Sequence, residues 1–454
     1  MMKKRSRNIL ADTRVISNVK SNKQVFRVLI LSCCIIFGVF MLSGLFFAKE
    51  SIEEPFLLIE LACGSIYIAG LSLSTRIKNI NQLLFCIFFS SLIVSIATRI
   101  FFLGYYHKPF GLAVDSYTYD KMVIPLLNKS FTLLTTSNHI DIDDLGYPYI
   151  LYHMYKLTGD IEFGRMLIII FNSSLLICSS CLLYHLAILL GFTIRESIIG
   201  TGLYGFNPFL YITSAVGLKE VIFCFLIISS LYYMFKWKLR KEPLNFLLSL
   251  CFILSTLFFR TALCLMLLIC LIVCAITTAS NKKGILRFLI ICGFCSPIFA
   301  NVILESFTGI SIEMIMAVAQ ARNSVMGSGI IGSIVQVCAA IFGPFPNFYR
   351  LGEYAMLFSG GILLKSMLNI FFLIGVWKII QNLDYKFYPL VLYSLFGIIF
   401  VILPGVALDM RFVITFFPSF ILITLYGIKG FHKTHLFYIY LLFLIIITLL
   451  YNVR

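Results

Sequence analysis

The chain has 454 residues, of which 60% are hydrophobic and 12% charged, with a net charge of +16. A soluble domain carries about 25% charged residues, so this composition excludes a string of independent water-soluble domains. The basic residues sit in short segments between apolar runs, where they read as topology signals and lipid-headgroup contacts rather than as a nucleic-acid surface.

A basic N-terminal tail, 1–26, carries Lys3, Lys4, Arg5, Arg7, Arg14, Lys20 and Lys23. The apolar run that follows is about 20 residues, too long for a signal-peptide core, and reads as an uncleaved first span. The expected fold is all-α: a polytopic transmembrane bundle over 27–454, with about 11–13 spans of the length a bilayer requires. Apolar runs fall near 27–48, 56–73, 83–106, 165–190, 196–215, 219–236, 244–259, 262–279, 286–305, 360–380, 388–405, 412–429 and 435–451. With a cytoplasmic N-terminus, alternation places Arg76/Lys78, Arg195, Lys236 to Lys241, Lys282/Lys283/Arg287, Lys378/Lys386 and Lys429/Lys433 inside, as the positive-inside bias requires. The stretch 244–279, about 36 residues, is too long for one span and divides at Arg260. Two outer loops are expected, a long polar one at about 107–160 and another at 308–359. The second contains Gly343-Pro344-Phe345-Pro346 and reads as a re-entrant or interfacial piece.

The 14 cysteines lie in or beside apolar runs and form no disulfide framework. Cys178/Cys181 and Cys292/Cys295 have CxxC spacing but read as small residues of the lipid phase.

Only 20 residues are acidic, and many fall in the first outer loop: Asp115, Asp120, Asp141, Asp143, Asp144, Asp160 and Glu162. Asp115, near the membrane surface and among aromatics, is a candidate base; its alternative is to cap a helix at 116–127. Asp141-Ile142-Asp143-Asp144 is either a cation site or a solvated acidic loop. Glu220, at the outer start of its span, is a functional candidate or a partner of Lys219 or a headgroup. Arg260 and Arg411 oppose the positive-inside trend, and a guanidinium there can grip a phosphate. Their alternatives are snorkelling, or pairing with Asp409 or Glu220. Arg165 and Lys219 belong to the same phosphate-binding set. His107, His139 and His153 read as interfacial, and no Walker, GxGxxG, GxSxG or HExxH motif is present.

A span, an outer loop opening with Asp115, Tyr117 and Tyr119, and Gly146-Tyr147-Pro148-Tyr149 follow in order. Next come an Arg165-led span, a span with Asn207-Pro208, Lys219-Glu220 at another span's start, and Arg411-Phe412 with Pro418. This order resembles the C-type glycosyltransferases, in particular relatives of the protein O-mannosyltransferases and aminoarabinose transferases. The loop opens Asp115-Ser116 where that family has Asp-Glu, and two additional spans precede it. The resemblance implies a polyprenyl-phosphate-linked sugar donor and a glycan or lipid acceptor. Asp115 would then be the base, Glu220 a second acid, and Tyr117, Tyr119 and Asp120 contacts for sugar or acceptor. Asp115 and Glu220 are also the residues that a divalent metal would use, with the metal itself left open. The expected location is a bacterial plasma membrane. Two other classes stay open: a polysaccharide repeat-unit polymerase or ligase, and a transporter or flippase, which calls for mid-span ionisable groups and paired halves with broken helices; few such charges are found, Glu60 and Glu305 lying within or near apolar runs.

Overall fold

A computed structural model describes residues 54–111, 113–128, 144–276, 337–343, 345–346, 358–402, 410–429 and 434–453, with isolated positions 30–31, 38, 131, 317 and 431. The expected spans at 27–48 and 286–305 lie outside the described residues, apart from the isolated positions 30–31 and 38. So do Asp141, Asp143, His139, Glu305, Asp409, Cys292 and Cys295.

The described elements are all helical. They are α1 (Glu54–Ser74), α2 (Ile80–Tyr106), α3 (Val114–Val123), α4 (Gly146–Thr158), α5 (Ile161–Leu189), α6 (Ile194–Gly205), α7 (Pro208–Ala215) and α8 (Glu220–Arg240). There follow α9 (Pro243–Ser255), α10 (Thr261–Ile276), α11 (Ser359–Gln381), α12 (Tyr388–Ile402), α13 (Met410–Val413), α14 (Phe417–Ile428) and α15 (Thr434–Val453). Five of these segments are long and apolar enough to cross a membrane: α2, α5, α8, α11 and the α13–α14 unit from Arg411 to Ile428. Five shorter apolar segments accompany them.

The helices bury polar residues and expose apolar ones, as a bilayer demands. On α2, Phe85, Ile93 and Ile100 are each more than 60% exposed, whereas Ser91, Ser95, Thr98 and Arg99 are buried. Small hydroxyls then join helices across the apolar core. Ser91 meets Ser173 of α5 at 3.2 Å, and Ser394 of α12 meets Ser419 of α14 at 2.7 Å. Close approach also requires absent side chains. A Cβ on Gly375 would lie 2.2 Å from the Ile423 carbonyl oxygen, and one on Gly427 would lie 1.9 Å from that of Phe371, so glycine lets α11 and α14 touch backbone to backbone.

Two expectations need correction. The apolar run 196–215 is two helices, because Pro208 interrupts it and Asn207 caps the second half by accepting a hydrogen bond from the Phe209 N–H at 2.9 Å. The stretch 107–160 contains more than loop. Its described parts form α3, a 3₁₀ turn at Ile124–Leu126, and α4. Tyr147, Leu151, Tyr152 and Tyr155 are buried, so α4 packs onto the bundle rather than standing in solvent. The expected break at Arg260 is present: α9 ends in a 3₁₀ turn, Thr256–Phe258, and α10 starts at Thr261.

The two ends of the bundle differ in charge. One collects Arg76, Lys78, Arg195, Lys238, Arg240, Lys241, Lys378, Lys386 and Lys429 at helix ends and turns. Its turns touch there: Arg195 donates to the Thr75 carbonyl at 3.3 Å and Lys238 to that of Tyr385 at 3.4 Å. The other end receives the C-terminus of α2, the N-termini of α5, α8 and α10, and all of α3 and α4.

Candidate functional site: a charged cavity at the end of the bundle

The short helix α3 lies across the second end. Residues three and four apart share a helical face, and Asp115, Thr118, Tyr119 and Met122 together line a cavity of about 340 Å³. The opposite face is anchored. Ser116 donates to the Val216 carbonyl at 2.5 Å, and Asp120 is buried against α4 and α5. Asp115 sits inside the first turn, not at the cap; the N-cap is Ala113, which offers no side-chain bond.

Four other chain segments complete the cavity: Asp144, the turn Leu218-Lys219 with Glu220, Arg260, and Arg411 with Phe412. The turn is shaped by Gly217, whose φ of +64° suits glycine, and whose carbonyl accepts from the Tyr147 hydroxyl at 2.5 Å. It directs Lys219 and Glu220 to the cavity as α8 begins. The N-termini of α8 and α10 both open here, adding the positive ends of two helix dipoles.

Three cations and three carboxylates therefore share one concavity, but they are engaged unequally. Arg411 donates to Asp115 at 2.5 Å, with Asp115 half exposed. Lys219 donates to Asp144 and, at 3.1 Å, to the Phe259 carbonyl. Tyr119 also donates to Asp144, at 3.2 Å. Burial, followed by the charges of Asp144, Glu220 and Asp115, holds the Tyr119 phenol above its ordinary range, so it remains a proton donor. Arg260 stands between the rings of Phe223 and Phe412, 5.1 and 4.6 Å from their centroids, and makes no ion pair among the described residues. Glu220 is 4% exposed, and no donor among the described residues reaches its Oε2.

Of the residues expected in the site, Asp115, Tyr119, Lys219, Glu220, Arg260 and Arg411 line the cavity. Arg165, Asp120 and Tyr117 do not. Arg165 binds Asp120 and Glu162, and Tyr155 donates to the other oxygen of Asp120. This arginine is a largely covered partner of two carboxylates and takes no part in lining the cavity. Tyr117 turns to its own loop, donating to the Gly111 carbonyl at 3.2 Å and accepting from the Phe110 N–H at 3.2 Å. On the short helix α3, Tyr117 and Asp120 lie off the set Asp115, Thr118, Tyr119 and Met122 that lines the cavity, and Arg165, on the long α5, is drawn to Asp120. His107 ends α2 and His153 packs beside Tyr149 and Tyr152 in α4, so neither joins the cavity. Among the described residues no three His, Cys, Asp or Glu side chains cluster closely enough to hold a metal ion.

Comparison with family models, with curated proteins and with solved structures finds no match.

Two buried cations escaped the sequence reading. Arg99, on α2, donates to Glu162 at 3.1 Å, and its guanidinium shares the Phe110 ring with that of Arg165 at 5.4 and 5.5 Å. Lys365, on α11, donates to the Gly343 carbonyl, while Asn369 donates to that of Phe342 at 2.6 Å. These bonds satisfy carbonyls at the end of a helical turn over 337–342. A lone charge within an otherwise uncharged apolar run was the available signal in both cases.

A second cavity, about 500 Å³, opens at the basic end between Lys378, Lys429, Asp384, Phe192, Phe387 and Tyr426. The C-termini of α5, α11 and α14 meet there, and lysines complement those negative helix ends.

Proposed function

We propose that this chain is a membrane glycosyltransferase that takes a sugar from a polyprenyl-phosphate-linked donor. The observation that carries the reading is the convergence of Asp115, Lys219, Glu220, Arg260 and Arg411, from widely separated parts of the chain, on one cavity at one end of an apolar bundle. An arginine held between two aromatic rings offers its fork of donors to a phosphate without first having to be ordered. A carboxylate beside it can take a proton from an acceptor hydroxyl. The cavity opens opposite the lysine-rich end, which the positive-inside bias assigns to the cytoplasm, so transfer takes place on the outer face. The donor arrives within the membrane with its headgroup at the cavity mouth, and the acceptor comes from the outer aqueous phase.

The test is the lipid extract of cells that lack the chain. A polyprenyl-phosphate-linked sugar should accumulate, and restoring the wild-type chain, but not one with Arg260→Leu, should clear it. An unchanged polyprenyl lipid pool would overturn the reading.

Transport is the second reading, favoured by the helix break at Asn207-Pro208 and by Lys365 buried within α11. It predicts labelled solute or lipid crossing in vesicles that contain the purified chain and no acceptor.

A further inference from the structure

Resting on the transferase reading, we infer that Glu220, not Asp115, is the residue that removes the acceptor's proton, and that Asp115 positions Arg411. The observation is the unequal engagement of the cavity's carboxylates. Asp115 already accepts a hydrogen bond from Arg411 at 2.5 Å. Asp144 accepts from both Lys219 and Tyr119. Glu220, which also lines the cavity, is buried and alone of the three is in no ion pair among the described residues.

A carboxylate held in an ion pair is the weaker base, and Glu220, unlike Asp115 and Asp144, is held in no ion pair among the described residues. Glu220 is also fixed in place. It is the first residue of α8, and the turn before it is pinned by the Tyr147 hydroxyl on the Gly217 carbonyl. Asp115, by contrast, is half exposed on α3. Its carboxylate holds Arg411 beside Arg260, so two guanidinium groups face one phosphate position.

The step balances as a single displacement. The acceptor oxygen forms a bond to the anomeric carbon as its proton passes to the Glu220 carboxylate. The bond between that carbon and the phosphate oxygen breaks, and its electron pair leaves on the polyprenyl phosphate, which Arg260 and Arg411 receive. The proton on Glu220 then returns to solvent through the cavity mouth.

The groups that face Glu220 are Lys219 beside it, Arg260, Arg411 and Asp115 across the cavity, Asp144, and the phenols of Tyr119 and Tyr147. Among these it is the removal of Glu220 that should erase a pH limb. The experiment uses the full chain in proteoliposomes with the polyprenyl-phosphate-linked sugar that accumulates in cells lacking the chain, and with membranes of those cells as the source of acceptor, reading release of polyprenyl phosphate across pH. Binding of undecaprenyl phosphate is measured in parallel. Glu220→Gln is expected to lower kcat about 100-fold or more, to leave undecaprenyl phosphate binding within about 3-fold, and to flatten the acidic limb of the kcat profile. Glu220→Asp should recover part of the rate together with the limb. Asp115→Asn should raise the donor KM while keeping the acidic limb.

If Glu220→Gln retains its rate, or if Asp115→Asn is the variant that loses the limb, the assignment is overturned while the transferase reading stands. A wild-type chain that binds undecaprenyl phosphate but releases none from the donor overturns the transferase reading, and the assignment with it. If Glu220→Gln instead loses its cooperative thermal unfolding in detergent and Glu220→Asp recovers folding without the limb, Glu220 is structural and the assignment fails.

Discussion

Two neighbouring clusters at the same end of this bundle use the same side chains to opposite effect. In the first, Arg99, Glu162, Arg165, Asp120 and Tyr155 tie α2, α3, α4 and α5 together, with the Phe110 ring between the two guanidinium groups. In the second, Asp115, Asp144, Lys219, Glu220, Arg260 and Arg411 surround a cavity, and among the described residues Arg260 and Glu220 are in no ion pair. An intramembrane charge is thus not functional by its presence alone. What separates the wall from the site is that every charged residue of the wall is held in an ion pair, whereas in the site Arg260 and Glu220 are held in none among the described residues.

The largest effect that would break this comparison is on the wall. Arg165→Leu leaves Asp120 buried without its cation, and breaking one side of such a pair costs about 3–5 kcal/mol. Thermal unfolding in detergent should fall accordingly, and the double variant Arg165→Leu/Asp120→Leu should recover much of the loss. If Arg165→Leu instead unfolded like the wild type and lost only phosphate binding, the two clusters would have exchanged roles.

Arg260→Leu sharpens the other side. A hydrogen bond to a charged group is worth about 2 kcal/mol, or roughly 30-fold in affinity. Undecaprenyl phosphate binding should weaken by that factor with little change in unfolding temperature. A variant that binds as tightly as the wild type would remove Arg260 from the site.

The smallest effect belongs to Asp115–Arg411. The pair is half exposed on the carboxylate side, so solvent screens it, and a double-mutant cycle on stability should return about 0.2–1 kcal/mol. A coupling several times larger would move this pair from the cavity into the structural wall.

Several features of the chain were legible from residue order. A run of apolar residues long enough to cross a bilayer has few other stable conformations, because its backbone must satisfy itself within lipid. Hence the boundaries of α2, α5, α8 and α11 follow the sequence closely, and the charge of Arg260 marks the break between α9 and α10. Local chemistry was less reliable where a single residue rules the backbone. Pro208 divides an apolar run that hydropathy alone joins, and Ala113 rather than Asp115 precedes α3.

By itself the amino-acid sequence determined an all-α membrane bundle, its approximate spans and the short set of charged residues worth attention. Only the tertiary structure decided which of those charges meet. Asp115 and Arg411 are 296 residues apart, and Lys219 reaches Asp144 across 75. Such pairings depend on which face of each helix turns inward and how the helix ends align, and both are set by packing among helices rather than by any one segment. Packing likewise sent Arg165 and Asp120 into the wall and left Arg260 and Glu220 facing the cavity.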